Sequence, residues 1–233
     1  MKKIFIIAAM AVAGITTANA QEFKVGAKAG FLMSNVSVDS SSDIEAGKLI
    51  TSKLNTAFRP GFHFGAFIEY GFNEKIWVEA GVDYAFQGAN LKSVEATVIN
   101  VSDGSLITSE KANIKNGWLK TQQFNIPLWV KYDISGFRPK VGVNLGFLSK
   151  VKTNSEIEGG PTVENKSLTP DKKFDFGLGF GAEYNLPMGL FFDATFNLGL
   201  TKLSTKEKNN DGTYSEGGKF KNRVFQIGVG YKF

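Results

Sequence analysis

The 233-residue sequence contains no cysteine and a single histidine, His63. The absence of cysteine excludes disulfide bonds, thiolate metal ligands and a lipid-modified N-terminal cysteine. With only one imidazole, any cluster of metal ligands would have to consist almost entirely of carboxylates. We therefore expect no metal site and no cofactor.

Long apolar runs are also missing. The most sustained one covers residues 4–15, which is shorter than the roughly 20 residues that a membrane-spanning helix needs. It follows two lysines and precedes an A-x-A site that ends at Ala20, so it has the three parts of a cleavable signal peptide. We expect residues 1–20 to be a signal peptide and residues 21–233 to form one exported domain.

The excess of positive charge is small. The formal net charge is +5, two of these charges belong to the predicted signal peptide, and no basic cluster or stripe is present. This pattern argues against a nucleic-acid partner. Glycine (26 residues) and phenylalanine (21 residues) are abundant, yet the mean hydropathy is only −0.10. Such an average is typical of strands with one apolar and one polar face.

The chain contains segments in which apolar residues occupy every second position, and the last of them ends at Phe233. Strict alternation predicts a β-strand with one apolar face. Eight such segments cover residues 23–36, 58–72, 75–87, 118–132, 139–151, 172–186, 189–203 and 220–233.

The connections between these segments alternate between short and long. Three are tight, at 71–75, 133–137 and 187–189, and four are long and polar, at 37–57, 88–117, 152–171 and 204–219. Outer-membrane barrels have short periplasmic turns and long outer loops. The sequence therefore predicts an all-β fold, an eight-stranded antiparallel up-and-down transmembrane β-barrel. Three short turns and both termini would face the periplasm, and four long loops would face outward.

Two of the long connections carry signals for hairpins of their own. Asp-Gly pairs at 103–104 and 211–212 favour type I′ turns. The alternation of Val94, Ala96 and Val98 before the first pair predicts that the third and fourth strands extend beyond the bilayer.

Aromatic residues lie near the ends of most apolar faces, as in the girdles of membrane barrels, so we expect these faces to contact outer-membrane lipid. The opposite, inward face carries ten charged residues: Lys24, Lys28, Glu69, Glu79, Asp83, Lys131, Lys140, Asp175, Glu183 and Asp193. An eight-stranded barrel is just wide enough for side chains to fill it, and buried charges must pair. We expect a polar plug of salt bridges; an ion-conducting lumen is the alternative.

His63 is the one candidate for nucleophilic catalysis, since some outer-membrane barrels modify lipid with a Ser–His–acid site. No serine adjoins it in the sequence, and Ser34 and Ser37 on the first strand are the hydroxyl candidates. We expect His63 to be structural, and we predict no catalytic residues and no enzymatic activity.

Three stretches resemble a known family. The segment QFNIPLWVKY at 123–132 resembles the L-x-I-P-L-l-x-K-Y strand of the PorT-like outer-membrane β-barrel family. Residues 138–146 are similar to the strand that follows it, and 174–184 together with 196–200 are similar to a later hairpin of the family. The resemblance implies an eight-stranded barrel in the outer membrane of a Gram-negative bacterium. Its named member is needed for protein secretion. Within this segment, Pro127 predicts a bulge or bend, because proline removes a ladder donor.

We therefore expect an integral, non-enzymatic outer-membrane barrel whose long surface loops bind a partner or scaffold an envelope complex. Phe233 resembles the terminal residue that barrel-assembly machinery recognises, so this machinery is an expected partner. A role in assembling a secretion system, a small porin and a lipid-modifying enzyme remain the alternatives.

Overall fold

A computed structural model describes residues 22–208 and 212–233, so the predicted signal peptide lies outside the described residues. The described residues form twelve strands. They are β1 Glu22–Val38, β2 Ser41–Glu45, β3 Lys48–Ala57, β4 Arg59–Gly71, β5 Ile76–Asn100, β6 Leu106–Tyr132, β7 Phe137–Ile157, β8 Thr162–Pro170, β9 Phe174–Asn185, β10 Leu190–Gly199, β11 Leu203–Lys208 and β12 Tyr214–Lys232. None of the described residues belongs to a helix long and apolar enough to cross a membrane.

Eight of these strands pair in a closed antiparallel cycle. Its order is β1, β4, β5, β6, β7, β9, β10 and β12, and β12 pairs again with β1. A closed cycle leaves no edge within this ring, which is the barrel. The three tight turns and both ends of the described chain lie at one end of it, which we call the short-turn end. The opposite end is the hairpin end.

The remaining four strands correct the prediction of eight strands joined by irregular loops. β2, β3 and β8 lie inside segments predicted as loops, as does β11 except for its first residue, Leu203, and the four strands lengthen the barrel wall at the hairpin end. Ser34 on β1 pairs with Arg59 on β4, and Ser41 on β2 pairs with Ser52 on β3. The pairing register is therefore the same before and after the interruption between β1 and β2. The wall therefore consists of eight long strands, four of them interrupted.

Backbone conformation at the hairpin tips explains the sharp reversals. Ala46 and Gly47 have φ of 50° and 73°, and Gly104 has φ of 70°. Two consecutive residues with positive φ form the type I′ geometry that suits the twist of a hairpin. The chain does reverse at the predicted Asp103-Gly104 pair, but only Gly104 has positive φ there, so the predicted type I′ turn is not formed. The turn predicted at 211–212 falls partly outside the described residues.

The alternation of faces follows the predicted pattern. Phe31 is 73% exposed on the outer surface, while the adjacent Leu32 is 2% exposed inside. Aromatic side chains stack along the outside, as in Phe62 and Phe86, whose ring centroids are 4.3 Å apart. An outer surface so rich in apolar side chains exceeds what water-exposed monomers normally show, and it suits contact with lipid.

Some glycines allow unusually close contact between strands. A Cβ atom on Gly30 would lie 2.1 Å from the carbonyl oxygen of Ile227, and one on Gly142 would lie 2.0 Å from that of Leu128. No side chain fits at such a distance, so these two positions require glycine for the tight coiling of a narrow barrel.

The bulge predicted at Pro127 is not present. β6 keeps one register with β5 on both sides of it, because Ala80 pairs with Leu128 and Asp83 with Asn125. Only the two residue pairs between these positions are missing from the β5–β6 ladder. The facing residue, Gly81, has no side chain, which leaves space for the proline ring.

Candidate functional site in the barrel interior

The interior of the barrel has three layers of different chemistry. At the short-turn end lies a group of ten charged residues that we call the charged plug. Its cations are Lys28, Lys131, Arg138, Lys140 and Lys232, and its carboxylates are Glu69, Glu79, Asp133, Glu183 and Asp193. The plug is followed by a layer of mainly neutral polar side chains, and then by an apolar layer.

Lys131 lies at the centre of the charged plug. Its Nζ is 2.5 Å from Glu79 Oε2, 2.6 Å from Glu183 Oε2 and 3.8 Å from Glu69 Oε1. The side chains of Lys131, Glu69 and Glu183 are 0% exposed. Because a buried ammonium group needs several acceptors to offset its lost hydration, this arrangement of three carboxylates stabilises its charge.

Arg138 and Lys232 complete the plug at the short-turn end. Arg138 Nη1 is 2.5 Å from Glu69 Oε1, and its guanidinium lies 4.2 Å from the Trp77 ring centroid. Lys232 Nζ is 2.7 Å from Glu69 Oε2 and 2.6 Å from Glu183 Oε1. Each glutamate thus bridges at least two cations, so the pairs form one connected network.

At the short-turn end, the network includes the turn residue Asp133. Burial disfavours its charge, but hydrogen bonds from the backbone N–H of Gly136 and from Arg138 outweigh burial and hold the pKa of Asp133 below its usual range. The carboxylate therefore stays ionised and orients the guanidinium of Arg138 toward the lumen.

Two further ion pairs and two aromatic rings lie deeper in the plug. Lys28 Nζ is 3.1 Å from Glu79 Oε1, and Lys140 contacts Asp193. Phe67 and Phe191 meet edge to face, with ring centroids 5.6 Å apart. Five cations and five carboxylates leave the plug without net charge.

The polar layer contains His63 and a network of amides. His63 Nδ1 lies 2.9 Å from Asp83 Oδ2, and its Nε2 has no hydrogen-bond partner among the described residues. Gln123 donates to Asn125 and Asp175, and Asn222 donates to Asp175. The cavity in this layer has a volume of about 30 Å³, which suits a single water molecule.

The geometry does not assemble the Ser–His–acid site considered above. Gly30, not a serine, faces His63 across the sheet. Ser34 lies four residues further along β1, about 13 Å away at the rise of a β-strand, and its hydroxyl is hydrogen bonded to the carbonyl of Gly88 at 2.9 Å. His63 thus has an orienting acid but no nucleophile within reach.

The apolar layer at the hairpin end was not predicted. It consists of the buried side chains of Val36, Ala89, Leu148, Val151, Leu203 and Phe220. Most of them lie at the ends of the predicted strands, where the sequence alternation weakens. Because the long strands continue past the predicted ends, these side chains meet above the polar layer.

The ten charges predicted to face inward lie on the inner side of the wall, but three charges of the plug were missed, one of them the turn residue Asp133. Lys24 lies on the inner face opposite Glu69, as predicted, but it is not fully buried: its side chain is 27% exposed at the rim and pairs with Glu22. Arg138 and Lys232 were missed, although each lies two residues from a residue of the inward face, Lys140 and Gly230. The alternation itself was the signal that would have found them.

Within the described residues, no group of three or more His, Asp or Glu side chains could hold a metal ion.

Comparison with known proteins agrees with this architecture. Residues 5–233 match the model of the family described as "Outer membrane protein beta-barrel domain". The chain belongs to this outer-membrane β-barrel family. Membership places the barrel in the outer membrane. No curated protein matches the sequence significantly.

Solved structures with a similar fold include other outer-membrane barrels. The barrel aligns with a major outer membrane protein from Thermus thermophilus at 15% identity and a TM-score of 0.48, over 92% of this chain and 100% of that one. The alignment with OprG from Pseudomonas aeruginosa has 16% identity and a TM-score of 0.46, and it covers 92% of this chain and 97% of that one. The alignment with Neisserial surface protein A has 16% identity and a TM-score of 0.42, and it covers 92% of this chain and 100% of that one.

Proposed function

We propose that the protein is a closed, non-enzymatic outer-membrane barrel whose lengthened wall at the hairpin end serves as a binding surface on the cell exterior. The observation that carries this proposal is the charged plug. Its side chains fill the lumen, pair with one another and leave no net charge to attract a permeating ion. A barrel closed in this way has its accessible surface on its wall and hairpins.

The proposed orientation places the short turns in the periplasm and the hairpins outside, because outer-membrane barrels have this asymmetry. Removal of residues 1–20 as a signal peptide, and recognition of Phe233 by barrel-assembly machinery, belong to the same proposal. Phe233 is 79% exposed, which leaves its ring accessible at the short-turn end.

Conductance across a planar bilayer tests the plug. We expect the purified barrel to insert without producing steady single-channel steps of porin size, because narrow eight-stranded barrels are filled by side chains. Insertion is verified independently by recovering the protein from the bilayer-forming vesicles after a carbonate wash. Steady, porin-sized steps would contradict the closed lumen and favour the small-porin alternative.

A role in protein secretion is the second candidate, and the resemblance of residues 123–132 to the PorT-like family favours it. This candidate predicts that deleting the gene reduces the amount of exported protein in the culture medium, and that the intact gene restores it. Secretion that is unchanged by the deletion would remove it. A lipid-modifying activity has less support, because His63 lacks a nucleophile.

A further inference from the structure

The wall of the barrel is open between its first and last long strands near the hairpin end. β1 pairs with β12 only as far as Val38 and Phe220. Beyond this point, β12 pairs with β11 alone and β2 pairs with β3 alone, within the part of the chain that the structure describes. The first and last long strands therefore separate, and each has one edge without a neighbouring strand.

A cleft of about 560 Å³ occupies this opening. We call it the seam cleft; residues 38–41, 52–54 and 216–219 line it, together with Val94. In this opening, backbone N–H and C=O groups of the facing strands have no ladder between them. Unpaired edges of this kind are templates for an additional strand.

Two consecutive glycines leave space on the β12 side of the cleft, between Glu216 and Lys219. Gly217 and Gly218 lie there, and a Cβ atom on Gly218 would have no neighbour within 4 Å. A second, apolar cavity of about 160 Å³ adjoins the cleft and shares Val38, Leu54 and Gly218 with it. The two cavities together offer backbone pairing beside a pocket for an apolar side chain.

The charges around the cleft favour an acidic residue in its occupant. Asp39 is paired with Lys202, and Glu216 lies 3.7 Å from Lys219. Lys53, which lines the cleft and is exposed, forms no ion pair with the described residues. After these pairs are formed, one ammonium group remains for a carboxylate from outside.

We propose that an extended peptide segment of a partner protein inserts into the seam cleft as an additional strand. It pairs with the edge of β12 at residues 216–219, places one apolar side chain in the adjoining cavity and one carboxylate near Lys53. Strand addition obtains affinity from main-chain hydrogen bonds and specificity from alternate side chains, and this site offers both. The inference rests on the proposed function in so far as the cleft faces the cell exterior.

The test selects 12-residue peptides from a phage-displayed library against the purified barrel in detergent. Because the chain has no cysteine, the double variant Ser40→Cys/Gly218→Cys can be cross-linked with a bismaleimide across the cleft. We expect selected peptides to alternate apolar and polar residues and to carry an acid. Cross-linking should weaken their binding at least tenfold relative to the same variant before cross-linking.

A pair of charge reversals adds a matched control. Lys53→Glu should weaken binding of the selected peptides severalfold, whereas Lys111→Glu, at an exposed position on β6, should leave it unchanged. Equal binding to the cross-linked variant, or the absence of any enriched peptide, would overturn the proposal. A dimer in analytical ultracentrifugation that disappears on cross-linking would assign the cleft to a second copy of the chain instead.

The binding measurement and the conductance measurement are independent. Peptide binding is read from detergent-solubilised protein and does not depend on the plug, while conductance does not depend on the seam. Failure of either one therefore identifies which of the two proposals is wrong.

Discussion

At the scale of single residues, the charged plug is held by side chains whose partners are also buried. Lys131→Met removes the ammonium group between Glu79 and Glu183 and leaves their carboxylates with fewer cations. Breaking a buried ion pair in this way costs about 3–5 kcal/mol. We expect a lower urea midpoint in detergent micelles, monitored by the fluorescence of the interior residues Trp77 and Trp129.

A matched control for this variant is Lys111→Met. Lys111 Nζ lies 3.6 Å from Glu95 Oε1, but the two side chains are 58% and 36% exposed. Exposed pairs contribute about 0–1 kcal/mol, so the midpoint should change little. Equal effects of the two substitutions would show that the plug contributes no more than an ordinary surface pair.

Residue-scale chemistry also explains which parts of the site were predictable. Alternation along each strand identified Glu69, Glu79, Lys131 and Glu183 as inward. Successive side chains of a strand point to opposite faces, so the position of a residue in the strand determines its face. It did not identify which charges pair across the lumen. Those pairings depend on the stagger of strands around the barrel, which the sequence does not encode locally.

At the scale of elements, the hairpins beyond the barrel depend on one another. β3 pairs with β5 over residues 48–57, and β2 pairs only with β3. These strands were predicted as loops because their side chains are exposed or half-buried on both faces, so their sequences carry no strict apolar alternation. The protruding β5 provides the template on which they form.

This dependence predicts the effect of shortening the β5–β6 hairpin. Replacing residues 95–111 by an Asn-Gly turn retains the barrel ladder but removes the part of β5 that pairs with β3 from Lys48 to Lys53. Backbone hydrogen exchange, measured by mass spectrometry, should increase in residues 41–52 and stay unchanged in the ring strands. Replacing residues 157–161 by the same turn is the control, because this segment has no pairing with β3. Unchanged exchange in residues 41–52 after the first replacement would show that the β2–β3 hairpin is stable by itself.

At the scale of the whole molecule, the two ends of the barrel differ in chemistry. The short-turn end is closed by paired charges, and the hairpin end has an apolar layer and an open seam. In the proposed orientation, the closed end faces the periplasm and the open end faces outward, which fits a protein that receives partners from outside and passes nothing through. This polarity requires that the hairpins face the cell exterior.

Single cysteines determine that orientation, since any introduced thiol is unique in this chain. Ser102→Cys lies at the exposed tip of the β5–β6 hairpin, and Asn73→Cys lies in the exposed turn between β4 and β5. A membrane-impermeant maleimide added to intact cells should label the first variant fully and the second only after the outer membrane is disrupted, because the reagent does not cross the membrane and the lumen is filled by the plug. Labelling in the reverse order would show that the barrel has the opposite orientation, with the seam cleft in the periplasm. The peptide that it binds would then have to come from an envelope protein rather than from outside the cell.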